Sequence, residues 1–358
     1  METADSLMQQ ALSDNTFPGG VLLVSRDARI IFCKAYGYAD IFTKRPMTKD
    51  TLFDLASLTK PLATTLAVIL LIQENKLDLE QNLGSILSPF KSTEKDKIKI
   101  KHLLAHVSGL PDYKPYYLKL GALAPQNRKS ALKEFLLNEP LLSPIGQQVR
   151  YSDLGFMILK WVVESVCSQR LDQFVQEQIY YPAGLKKLFF IDLAGGVPKG
   201  NFAATEQCPW RKILLNGQVH DENAYVMGGI AGHAGLFGTA EEVHRILSIL
   251  LSVFHGNPVN PLIRKDLLRL FFKRQDFAGR ALGFDSPDLR HASCGQYFAQ
   301  TSVGHLGFTG TSFWMDLEKS VIVILLTNRV HPSRDNDKIK AFRPCLHDAI
   351  MKAIMDAD

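Results

Sequence analysis

Strand-forming sequence is confined to the two ends of this chain, which sharply limits what the chain can fold into. Near the N-terminus GGVLLVSRDARIIFCKAYGYAD, residues 19–40, alternates short β-rich runs around Ser25-Arg26-Asp27, a hairpin pattern. Two strands alone are marginal in water. Comparable material returns only in GFTGTSFWMD and SVIVILLTNR, joined through the turn-like Asp316-Leu317-Glu318-Lys319. The economical solution is one antiparallel sheet drawn from both ends of the chain, covered by a final helix over roughly Lys338 to Met355.

Between the ends the pattern turns helical. PLATTLAVILLIQENKL, SALKEFLLNE, DLGFMILKWVVESVCSQR and LDQFVQEQIYYP carry apolar residues at three- and four-residue spacing. Thr239 and Glu242 read as a capping box ahead of VHRILSILLSVF. The stretch from about Phe190 to Gly238 is rich in Gly, Pro, Asn and His, weakly periodic, and reads as long loops of the kind that carry function. With 358 residues, 46% of them hydrophobic, the chain can bury a large core. The expected fold class is α/β, an antiparallel β-sheet flanked by helices with an inserted, mostly α-helical subdomain. Residues 1–358 are expected to form one domain, with 1–50 plus 239–358 as the sheet part and 51–238 as the helical insert.

Three short motifs lie at structural junctions. Ser57-Leu58-Thr59-Lys60 opens a long apolar helix, and Pro61, which lacks an amide hydrogen, is tolerated only in a first turn. Ser57 therefore stands where backbone amides are free and the helix dipole is positive, a place suited to an oxyanion. Spacing of three sets Lys60 beside the serine hydroxyl. Burial lowers an ammonium pKa, so Lys60 is expected to be a neutral base that activates Ser57. Other Ser-x-x-Lys copies, at Ser88, Ser92 and Ser130, lie in polar or exposed-looking segments.

Tyr151-Ser152-Asp153 opens the next apolar helix. Residues 151 and 153 face one side of an extended entry segment, so Tyr151 can relay a proton while Asp153 lines the site, caps the helix, or does both. The third motif, Gly304-His305-Leu306-Gly307-Phe308, begins a late glycine-rich strand. Gly307 permits close approach of a substrate backbone, and the Phe308 amide is the natural second oxyanion donor opposite that of Ser57. His220 and His233, in the long loops, either line the same pocket or hold structure.

Together SLTKPLATT, HLLAHVSGLPDY, YSDLGF, GGIAGHAGLF and GHLGFTGTSFWMD resemble the class C β-lactamase-related serine hydrolases, a group of β-lactamases, DD-peptidases and esterases. The resemblance implies Ser57 as nucleophile, Lys60 and Tyr151 as proton-transfer partners, and the Ser57 and Phe308 amides as oxyanion hole. His305, Leu306, Gly307, Asp153 and His233 would contact substrate. It implies an acyl-enzyme mechanism without a cofactor, on an ester, an amide, a β-lactam or a peptidoglycan fragment. Family β-lactamases usually carry Asn where this chain has Asp153 and Lys where it has His305. A histidine of ordinary pKa is mostly neutral at pH 7, so the case for binding a β-lactam carboxylate weakens.

Composition sets the remaining expectations. A formal charge of +5 is mild, and the basic run Lys91 to Lys101 is interleaved with Glu94 and Asp96, a solvated loop and no nucleic-acid patch. Five dispersed cysteines give no disulfide framework and fit a reducing, cytoplasmic setting. The start has no signal-peptide pattern, and the apolar run around Leu66 to Ile72 reads as too short for a membrane span. His102 and His106 share a helical spacing but lack the carboxylate of a zinc-protease motif, so no metal is expected.

Overall fold

The computed structural model describes residues 1–257, 262–288 and 292–357. Both chain ends build one six-stranded antiparallel sheet. In sheet order its strands are Arg45–Pro46, Arg29–Asp40, Gly19–Arg26, Val321–Thr327, Ser312–Asp316 and Val303–Leu306. The central pairing joins the ends, running from Gly20 opposite Thr327 to Arg26 opposite Val321.

Alternation along these strands explains their unbroken apolar sequence. Val21, Leu23, Ile322, Ile324 and Leu326 enter the larger core, while Leu22, Val24, Val321, Val323 and Leu325 enter a second core on the opposite face. Helix Ala240–His255 packs on the first face. Helices Glu2–Ser13 and Ile339–Met355 pack against each other, and their apolar residues share the second core. The final helix thus begins within one residue of its expected start, whereas Glu2–Ser13 carries no clear sequence signal.

The long apolar segment is less regular than its periodicity implies. Residues Ala56–Leu58 form a 3₁₀ turn, Lys60–Thr65 a wide π-type turn, and Leu66–Gln73 an α-helix. Taken together, Ala56–Gln73 is long and apolar enough to cross a membrane by length and composition, which corrects the expectation from the shorter run. Burial within the protein claims 83% of it, so core packing accounts for its apolar character.

Helices Pro125–Asn138 and Asp153–Cys167 stand where their apolar spacing puts them, and Leu171–Val175 continues as a π-type turn to Tyr180. Thr239 does cap its helix, its side chain accepting from the Glu242 amide at 3.3 Å. The Glu242 carboxylate turns away to the Lys186 amide, so the reciprocal half of the box is missing. All five cysteines are free.

Candidate active site

The three motifs converge. Asp54 is buried and accepts from the Ala56 and His220 amides at 2.9 and 2.6 Å. These bonds hold Ala56 at φ 48°, a left-handed conformation that a residue with a Cβ adopts only under local constraint. The chain then turns into the 3₁₀ segment that carries Ser57. Thr309 Oγ1 donates to the Asp54 carbonyl at 2.7 Å and Thr311 Oγ1 to the Leu55 carbonyl at 3.1 Å. The late strand is thereby stapled to the residues just before Ser57. Among the described residues, neither the Ser57 nor the Phe308 amide donates to another protein group, as an oxyanion hole requires.

Lys60 is wholly buried, and its Nζ donates to Ser57 Oγ at 3.0 Å and to the His233 carbonyl at 3.3 Å. Asp153 Oδ1 lies 2.7 Å from the same nitrogen. The Tyr151 ring centroid lies 4.7 Å from the ammonium, and Tyr151 lines the same crevice as Ser57. Burial alone would lower the Lys60 pKa, but the facing Asp153 and Tyr151 outweigh it, and the pKa stands above its ordinary value. This corrects the expectation of a neutral amine. Burial pushes the Tyr151 phenol up, against the opposing pull of Lys60. Helix Asp153–Cys167 is capped by Ser152, whose Oγ accepts from the Gly155 amide at 3.2 Å, which leaves Asp153 for Lys60.

His305 is 1% exposed, and burial lowers its pKa to about 4. Its Nδ1 meets the Leu306 carbonyl at 2.9 Å; the carbonyl can only accept, so the proton resides on Nδ1 and the ring is neutral. His305, Leu306, Gly307 and Phe308 line a crevice of about 590 Å³ together with Ser57 and Tyr151. A second lobe of about 350 Å³ also contains Ser57, Tyr151 and Phe308, and adds Asp153, His220 and His233. Every residue singled out for the site therefore borders it, except Lys60, which lies beneath its floor.

Several contributors carry no sequence signal of their own. His106 follows the helix Ile100–Leu104 with φ 58°, accepts the Ser152 amide on Nδ1 at 2.9 Å, and lies against the Tyr151 ring at 4.6 Å. It positions Tyr151 and does not pair with His102 as a ligand. Asp221 Oδ1 accepts from the Ala224 amide at 2.6 Å and meets His233 Nε2 at 3.0 Å, which with these neighbours holds its carboxyl down at about 2 against burial. Arg334 joins Glu206 and Glu222 across the second lobe. Atoms of Asp153, Asp221 and His233 lie close enough together to hold a metal ion, but the Lys60 ammonium already occupies the place of a cation beside Asp153.

A profile of the Beta-lactamase family matches residues 4–343. The chain is 33% identical over 344 residues to an N-acetylmuramyl-L-alanine amidase of Bacillus subtilis (strain 168), covering 88% of this chain and 78% of that protein. A candidate D-alanyl-D-alanine carboxypeptidase of Salmonella agona (strain SL483) is 32% identical over 357 residues, covering 91% and 82%. In fold the chain is similar to an octameric penicillin-binding protein homologue from Pyrococcus abyssi, with a TM-score of 0.75, 18% identity, and coverage of 98% and 77%.

Proposed function

Because this chain belongs to the beta-lactamase family, we propose that it is a serine hydrolase that cleaves an amide of a peptidoglycan fragment through an acyl-enzyme at Ser57. The observation that carries the reading is the contact between Lys60 Nζ and Ser57 Oγ in a crevice where the Ser57 and Phe308 amides are both unpartnered. The likeness to the Bacillus subtilis amidase supports an amide on L-alanine as the bond cut.

The ion pair sets the proton route. Lys60 first gives a proton to Asp153, and the amine so freed takes the Ser57 proton as Oγ attacks the carbonyl carbon, so that an ammonium again stands beside the developing negative charge. The oxyanion takes hydrogen bonds from the two amides. On collapse, Tyr151 gives its proton to the leaving nitrogen and is refilled from Lys60, which recovers its own from Asp153. The C–N bond breaks and the serine ester remains. Water then repeats the sequence and releases the acyl group.

His305 supplies no cation beside the nucleophile, so a carboxylate next to the scissile carbonyl gains little there. This supports a peptide amide over a β-lactam. Incubation with a fluorophosphonate and with muramyl peptides, followed by intact-mass analysis, tests the reading. One adduct on the wild type and none on Ser57→Ala, with release of peptide from the muramyl group, is expected. Adduct formation by Ser57→Ala would overturn it.

A further inference from the structure

Arg343, in the final helix, is 5% exposed. Its Nη2 donates at 3.1 Å to the Thr311 carbonyl, which also receives the Gly307 amide at 2.7 Å. The guanidinium thus lies against the loop that faces Ser57. Its Nε is buried without a hydrogen-bond partner, and no carboxylate among the described residues pairs with it.

The charged neighbour that it feels is a second cation, Arg329. Arg329 is 7% exposed and, among the described residues, donates to the carbonyls of Phe308, Arg334 and Asn336 at 2.9, 2.9 and 2.7 Å. It lies over the Phe308 ring at 4.6 Å. Burial, then Arg329, brings the Arg343 pKa down to about 9. A buried guanidinium without a counter-ion is costly, and folds seldom keep one that has only structural work.

Arg343 is also where two hollows meet. It lines the crevice of Ser57 and a neighbouring one of about 640 Å³, and Leu306 and Lys340 border both. We propose that Arg343, backed by Arg329, is a binding subsite for a carboxylate carried on the peptide part of the substrate, set back from the bond that is cut. A planar carboxylate matches the side of the guanidinium that Nη2 does not use for Thr311. The cation absent at His305 is displaced along the strand to Arg343, which selects an acidic peptide long enough to reach past Leu306. This rests on the reading of the Ser57 crevice as the substrate site.

The test uses full-length Ser57→Ala protein, so that binding is read without turnover. An N-acyl-L-alanyl peptide ending in a free carboxylate is titrated beside the same peptide amidated. Binding of the acid at least tenfold tighter is expected, with the preference reduced to under threefold by Arg343→Gln in the same background. Arg343→Met should melt at or above the parent temperature, because it removes an uncompensated buried charge.

Equal binding of acid and amide, a preference that survives Arg343→Gln, or a large fall in melting temperature in both variants would overturn the subsite. Turnover of a p-nitrophenyl ester by the wild-type protein tests the hydrolase reading separately. Its failure would sink that reading, while the binding comparison would still decide the subsite.

Discussion

Lys60 Nζ lies 2.7 Å from Asp153 Oδ1 and 3.0 Å from Ser57 Oγ, so the amine beside the candidate nucleophile is held as an ammonium by the carboxylate on its other side. In the proposed mechanism the pair makes Asp153 the acceptor on which proton movement from Ser57 depends.

Asp153→Asn removes that acceptor and the negative charge that raises the Lys60 pKa. The Lys60 pKa should fall, so a neutral amine appears at lower pH than in the wild type. At pH 7 kcat should drop at least tenfold and recover as pH rises through the new value. A pH–rate profile of p-nitrophenyl ester hydrolysis that matches the wild type throughout would remove Asp153 from the route.

Acid should weaken the fold before the carboxylates titrate. His106, His305 and His347 are buried and uncharged, the first held well below the ordinary value and the others at about 4, each mainly by burial. The unfolded chain takes up these protons below about pH 6.5, so stability is complete above that value and lost as pH falls toward 4. Each histidine contributes at most about 1.4 kcal/mol per pH unit in this window. Urea melts between pH 7.5 and 4.5 should show a slope worth more than one proton, and His347→Gln should make it shallower.

Gly307→Ala should close the gap between the late strand and the turn that carries Ser57. A Cβ there would sit 2.7 Å from the Leu55 carbonyl and closer still to Thr311 Oγ1. Overpacking of this kind costs about 1–3 kcal/mol. Turnover should fall at least tenfold, and an unchanged melting temperature with full activity would count against the close packing.

His106→Ala strands the buried Ser152 amide and takes away the ring that supports Tyr151. An unpaired buried donor costs about 1–3 kcal/mol. The loss should appear in kcat with little change in KM. His106→Asn, which tolerates the left-handed backbone and offers an acceptor, should recover part of it. Equal kinetics for the two variants would assign His106 to general packing.

Much of this was legible in the sequence because it depends on local pattern. The sheet drawn from both ends follows from where strand-forming residues occur, and Ser57, Lys60 and Tyr151 follow from motifs at helix entries. The Lys60 charge was not legible, since burial and Asp153 push its pKa in opposite directions and only the 2.7 Å contact shows which wins. Helix Glu2–Ser13 escapes notice because it buries only Ala4, Met8 and Ala11, a narrow stripe on a polar segment. Arg343 reaches the crevice from a helix whose sequence reads as sheet cover, and its orphaned guanidinium appears only when the fold shows that no carboxylate meets it.

The pairing of Gly19–Arg26 with Val321–Thr327 has a consequence for biosynthesis. These partners leave the ribosome about three hundred residues apart, so closure of the sheet waits until Val321–Thr327 has been made. Until then the early hairpin carries apolar side chains on both faces with nothing to cover them, a natural target for a chaperone. Nascent chains halted before Val321 should remain protease-sensitive, whereas chains released after Met355 should acquire resistance in one cooperative step.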